Sequence, residues 1–130
     1  MTQAIIDQAI QAVMDLAGAC EPFSPLHRGP LGAEDGVSIA LAPGDPPVCH
    51  LDRRCVVQLS LVLNAKHHDM QLVSSTLHHI HDSLTRAAAY PGTEDWQITR
   101  IATETLPELI ARELDDRWLF ASSLTVTLYY

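Results

Sequence analysis

The sequence predicts an α+β domain: a mainly antiparallel sheet of about four strands with two main helices packed on one face, in the order α-β-β-α-β-β. Three observations lead there. Residues 55–84, CVVQLSLVLNAKHHDMQLVSSTLHHIHDSL, pass abruptly from a two-residue hydrophobic period to a helical one. Near the N-terminus the apolar residues recur at helical spacing, and the C-terminal RWLFASSLTVTLYY is strand-like throughout.

Taken in order, Ile5, Ile6, Ala9, Ile10, Val13, Leu16 and Ala17 mark one side of an amphipathic helix over residues 2–19. Gln3, Asp7, Gln8, Gln11 and Asp15 lie opposite, and Gly18 ends it. Pro22, Pro25, Pro30, Gly29, Gly32 and Gly36 crowd residues 20–36 with breakers, which predicts a long surface excursion without regular structure beyond a turn. VSIAL, residues 37–41, alternates between Gly36 and Pro43 as a short strand. The following APGDPPVCHLDRR is a hairpin-like connection, because Pro46-Pro47 cannot sit in the middle of a sheet.

The next strand puts Cys55, Val57, Leu59, Leu61 and Leu63 on one side and Val56, Gln58, Ser60, Val62 and Asn64 on the other. A polar bend, NAKHHD, offers Asn64 or Asp69 as a helix cap. Met70, Val73, Leu77, Ile80 and Leu84 then make a single stripe on a helix running to about residue 89, where Tyr90-Pro91-Gly92 stops it. Residues 96–106 alternate as a strand with two semi-polar faces, a turn or short helix begins near Pro107, and residues 112–116 are charged. The last strand aligns Trp118, Phe120, Ser122, Leu124, Val126 and Leu128. Leu59, Leu61, Leu77, Ile80 and Leu84 are expected to meet in the core, with residues 66–68 exposed.

At 130 residues the chain suits one domain, 1–130, able to bury a core without disulfides or metal. Its 47% hydrophobic and 18% charged residues argue against disorder. A net charge of −8 disfavours nonspecific phosphate binding, so nucleic acid is not an expected ligand. Cys20, Cys49 and Cys55 form no CxxC pair, and an odd count without a secretory-type segment predicts reduced thiols and a cytosolic site of synthesis. Nowhere do eighteen apolar residues run together, so no membrane span is expected.

Seven histidines invite a metal reading, since His78 and His81 stand three apart on a helix and could share an ion. No HExxH or matching acid accompanies them, and border residues of the Leu77, Ile80, Leu84 stripe are the plainer account. Cys49, His50 and Cys55 resemble part of a zinc set without a second cysteine pair to close it. A Cys-His nucleophile pair on Cys49 or Cys55 lacks any fixed geometry. Lys66-His67-His68 could receive an anion at the start of the second helix, or serve as a solvated turn or subunit contact. Arg53-Arg54 is a basic pair too small for a nucleic-acid patch, and GxxxxGK[ST], GxGxxG and GxSxG are all absent.

The order of segments resembles that of the small α+β proteins that phages use as tail terminators, also described as minor capsid proteins. The likeness spans most of the chain. It rests on the N-terminal helix, the proline-rich excursion, VVQLSLVLNAKHHDMQ running into LVSSTLHHIHDSL, and ITRIATETLPELIARELDDRWLFASSLTVTLYY as a closing hairpin. LNAKHHDMQ is its most specific part, although His67, His68 and Met70 depart from commoner choices at this turn. The resemblance implies a structural role without catalytic residues or cofactor: a ring, typically a hexamer, that caps the tail tube, stops its polymerisation and helps join tail to head. Its implied partners are copies of itself, the tail-tube protein and a head-tail connector, with DNA passing through unbound. Its implied place is the tail end of the virion, after assembly in the bacterial cytoplasm. Arg53, Arg54, Lys66, His67 and His68 are the expected subunit or partner contacts, and residues 20–36 and 42–53 the expected projecting loops. The alternative from a different class is a small metal- or anion-binding module using the histidine-rich turn and helix. A cysteine-dependent enzyme built on Cys49 or Cys55 is a further rival.

Overall fold

Two long strands, Cys55–His67 and Trp118–Tyr129, lie side by side in the sheet, and each turns one row of alternate residues to the core: Val57, Leu59, Leu61 and Leu63 in the first, Phe120, Leu124, Val126 and Leu128 in the second. The computed structural model describes residues 2–31, 34–42, 46–51 and 54–130. In chain order its elements are α1 (Thr2–Gly18), β1 (Leu26–Arg28), β2 (Gly36–Ala42), β3 (Val48–Cys49), β4 (Cys55–His67), α2 (Met70–Thr85), β5 (Gln97–Arg112) and β6 (Trp118–Tyr129). The strands form one sheet in the order β1-β2-β4-β6-β5, with β3 also paired to β4. All pairings are antiparallel except β1 with β2.

The chain is therefore mixed α+β with two helices, but the expected four strands and the order α-β-β-α-β-β are overturned. Among the described residues six strands are present, in the order α-β-β-β-β-α-β-β. The two additions are very short. Leu26–Arg28 pairs Leu26, His27 and Arg28 with Val37, Ser38 and Ile39, and Val48–Cys49 pairs with Val56 and Cys55. Neither is long enough to show a hydrophobic period, so breaker-rich sequence hid both.

Register puts the core on one side of the sheet. Leu59, Leu61 and Leu63 of β4 stand opposite Val126, Leu124 and Ser122 of β6, and Leu63 and Ala65 stand opposite Ile39 and Val37 of β2. Onto this face α1 brings Ala9, Ile10, Val13 and Ala17, and α2 brings Val73, Leu77, Ile80, His81 and Leu84. Leu59, Leu61, Leu77, Ile80 and Leu84 are all buried, as their spacing predicts. Each such side chain contributes roughly 1.5–3 kcal/mol by leaving water. Trp96 Nε1 donates to Gln8 Oε1 at 2.9 Å, and Arg28 pairs with Asp7 at 2.7 Å, so α1 is tied both to the start of β5 and to β1.

Asp69 caps α2, its carboxylate accepting from the backbone N–H groups of Gln71 and Leu72 at 3.1 and 3.3 Å. The helix stops at Thr85, not near residue 89. The Thr85 hydroxyl donates to the His81 carbonyl and the Tyr90 hydroxyl to the Leu84 carbonyl, each at 2.9 Å, so side chains take over the last-turn acceptors.

β5 also departs from expectation. It continues through Pro107 to Arg112, where a turn or short helix was expected. Proline is tolerated because β5 is an edge strand and the register slips between Thr105 and Glu108, leaving Leu106 and Pro107 in a bulge. Finally, Cys49 and Cys55 are disulfide-bonded and Cys20 alone is free, which overturns the expectation of three reduced thiols. β3 sets the two cysteines directly across from each other, with 4.0 Å between their Cα atoms.

Candidate interaction surfaces

The polar turn between β4 and α2 sits at one end of the sheet beside the β5–β6 turn. β4 runs to His67, so Lys66 and His67 are strand residues and not part of a loose bend. Lys66 is buried, at 8% exposure, which corrects the expectation that it lies open to a neighbour. Its pairing between Gly36 and Leu119 places it inside the sheet, and its ammonium reaches Glu113 Oε1 at 2.9 Å. A lysine held this way draws its stem over apolar surface and keeps its charge on a carboxylate.

His67 is half-buried. Its Nδ1 accepts from the Asp69 backbone N–H at 2.9 Å, which leaves Nε2 to carry the proton toward Asp35 Oδ2 at 3.4 Å. Its ring meets Phe23 edge-on at 5.1 Å and His68 at 6.4 Å. Arg117 completes the cluster, with Nε on Asp35 Oδ1 at 2.6 Å and Nη1 on Asp115. That hydrogen bond from Arg117 is the main reason the Asp35 carboxyl titrates below its ordinary range, and the same bond raises the Arg117 guanidinium. The cluster pins the β5–β6 turn to the residue just before β2. His68 remains exposed at its rim.

Of the other expected contacts, Arg54 is exposed next to Cys55, far along β4 from residues 66–68, and Arg53 lies outside the described residues. The described ones, Arg54, Lys66, His67 and His68, therefore do not form one surface. Sequence reading missed Asp35, Glu113 and Arg117, whose charges are legible but whose meeting depends on two strand turns closing at one end of the sheet.

His78 and His81 point apart. His78 Nδ1 donates to the Ser74 carbonyl at 2.8 Å on the exposed side of α2. His81 is 1% exposed, wedged between α2 and the sheet, with Nδ1 3.3 Å from Ser122 Oγ and Nε2 2.9 Å from Thr103 Oγ1. Burial holds the His81 imidazole below its ordinary pKa and outweighs the nearby Asp82 carboxylate. Among the described residues, no group of three or more His, Cys, Asp or Glu is placed to hold a metal ion.

Apart from Met70 and Tyr129, the large exposed apolar side chains among the described residues fall into two groups. Leu106, Leu109, Ile110 and Leu114 line the outer half of β5 and its turn, at 47–107% exposure. Leu41 and Val48 belong to the end of β2 and to β3, and Leu51 lies two residues beyond β3. β6 occupies one side of β4 along Val56–His67, so β2 and β3 share the other side, and the two apolar groups mark opposite edges of the sheet. Pro107 in LPELI suggests a helix start, which disguises this apolar edge in the sequence.

No helix among the described residues is long and apolar enough to cross a membrane. No protein-family model and no curated protein matches the chain.

Proposed function

We propose that the chain is a structural assembly protein of a phage or prophage that works by self-association. In this reading it forms a ring, typically of six copies, that caps the tail tube, halts its polymerisation and helps join tail to head. The observation that carries the proposal is the pair of apolar groups on opposite sheet edges, Leu106, Leu109, Ile110 and Leu114 on one and Leu41, Val48 and Leu51 on the other. A contact between unlike edges is head-to-tail, and a repeated head-to-tail contact closes into a ring when the rotation per copy allows. Large exposed apolar side chains gathered in one place also suit a partner better than solvent.

The charge fits the same role. A net −8 chain repels phosphate, so DNA threading such a ring would slide without adhering. The Asp35–Arg117–Asp115 cluster supports it too, because it fixes the β5–β6 turn and so presents Leu114 and the outer β5 edge in a defined orientation. Partners on this reading are further copies, the tail-tube protein and a head-tail connector, and the working location is the tail end of the virion.

Size-exclusion chromatography with light scattering tests the reading. A closed oligomer, alone or on addition of tail-tube protein, is the expected result. A monomer at every concentration, with no ring on the tube protein, contradicts it.

A further inference from the structure

The geometry points to a thiol–disulfide exchange site at Cys49–Cys55, where a small thiol opens the bond and releases β3 from β4 while the core stays folded. This inference does not depend on the tail-end reading. It rests on how unequally the two cysteines are held.

Cys55 belongs to the sheet. Its backbone N–H donates to the Tyr130 carbonyl, its carbonyl accepts from the Tyr130 N–H at 2.9 Å, and β4 continues from it with a partner at every residue of Val56–His67. Cys49 belongs to a strand of two exposed residues. Besides the disulfide, β3 has two register pairs with β4 and, just beyond it, the His50 N–H donating to the Arg54 carbonyl at 2.8 Å. A two-residue ladder in water has too little buried surface to persist. Val48 and Cys49 are exposed and absent from the buried core, so freeing them withdraws no core side chain.

Access is equally one-sided. Cys49 is exposed and Cys55 half-buried, so an incoming thiolate meets the Cys49 sulfur first. In the first step the thiolate RS⁻ bonds to the Cys49 Sγ, the Sγ–Sγ bond breaks, and Cys55 leaves as a thiolate that takes a proton from water. In the second, another thiolate of the same kind attacks the R sulfur of the mixed disulfide. RS–SR departs, and the Cys49 thiolate is protonated. Two electrons pass from two small thiols to the protein disulfide, and a small disulfide reverses the sequence. Only five residues separate the two cysteines, so closure is fast.

Released, β3 no longer holds Val48, nor Leu51 two residues beyond it, at this edge, so the redox state of one bond sets whether those apolar side chains are displayed in a fixed position.

The test equilibrates the full-length chain in reduced and oxidised glutathione at graded ratios, quenches with acid, and counts N-ethylmaleimide labels by mass under denaturing conditions. The expected count is one label, on Cys20, in oxidising buffer and three in reducing buffer. In parallel, amide hydrogen exchange at His50 should quicken at least about tenfold on reduction, with α2 and the centre of β4 unchanged. Cys49→Ser should show the fast His50 exchange in both buffers. Three labels in every buffer would mean that the pair does not form, and one label in every buffer that it does not exchange; either overturns the inference. So would unchanged His50 exchange after reduction, a Cys49→Ser chain still protected at His50, or exchange quickening through α2, which would make the bond a staple of the whole fold.

Discussion

The two halves of β5 carry opposite assignments on one strand. Its inner half, from Gln97 to about Thr103, packs Ile98 and Ile101 against the helices and offers a hydroxyl to His81. Its outer half, from Thr105 to Arg112, follows the same partner strand but is exposed at nearly every position, apolar residues included. Backbone pairing is common to both, so pairing alone does not decide what a strand is for. The inner half meets α2 where Thr103 Oγ1 lies 2.9 Å from His81 Nε2, while Leu106, Leu109 and Ile110 of the outer half are exposed. The first contributes to folding and the second is available to a partner.

The sharpest way to break this contrast is to truncate one buried and one exposed side chain of similar size. Leu77→Ala, at a position with no exposure, should lower unfolding free energy by about 2–5 kcal/mol in urea titrations. A loss under about 1 kcal/mol would mean that the helix face is not the core described. Next in size is the anchor of the β5–β6 turn. Glu113→Gln removes the carboxylate on the buried Lys66 ammonium and should cost about 1–3 kcal/mol, and no loss would show that the turn is not held through Lys66.

His81 sharpens the contrast through pH. Its folded pKa lies below the unfolded value, so the unfolded chain binds a proton more readily than the folded one. The contribution is therefore fully present above the unfolded pKa of about 6.5 and is lost as pH falls below it, by up to about 1.4 kcal/mol at pH 5.5. Urea midpoints at pH 7.5 and 5.5, compared between the native chain and His81→Leu, isolate this part from the other histidines. An equal pH dependence in both chains would place His81 in contact with solvent. The smallest effect on stability is expected at the edge itself, where Ile110→Ser should change unfolding free energy by no more than about 0.5 kcal/mol.

Much of the body was legible because its residues repeat. The period of two over β4 and of three and four over α2 places Leu59, Leu61, Leu77 and Leu84 correctly, and Asp69 is readable as a cap. What escaped has no period. β1 and β3 are three and two residues long and owe their pairing to β2 and β4. The disulfide follows from β3, so missing the strand meant missing the bond. Lys66 was read as exposed because charge in a polar stretch suggests solvent, whereas its place between Gly36 and Leu119 is a matter of register. The same holds for His78 and His81, adjacent in helical spacing yet one turned to solvent and the other to Ser122. The apolar edge was obscured by Pro107, which breaks a central strand but is compatible with an edge strand that bulges.

Whether the outer β5 edge serves association and not folding is the central question. Light scattering on the native chain and on a Leu106→Ser, Ile110→Ser double variant, each with its urea unfolding curve, decides it. The expected result is an oligomer for the native chain and a folded monomer of nearly unchanged stability for the variant. An oligomer of undiminished size in the variant, or a monomeric native chain that the two substitutions unfold, would contradict it.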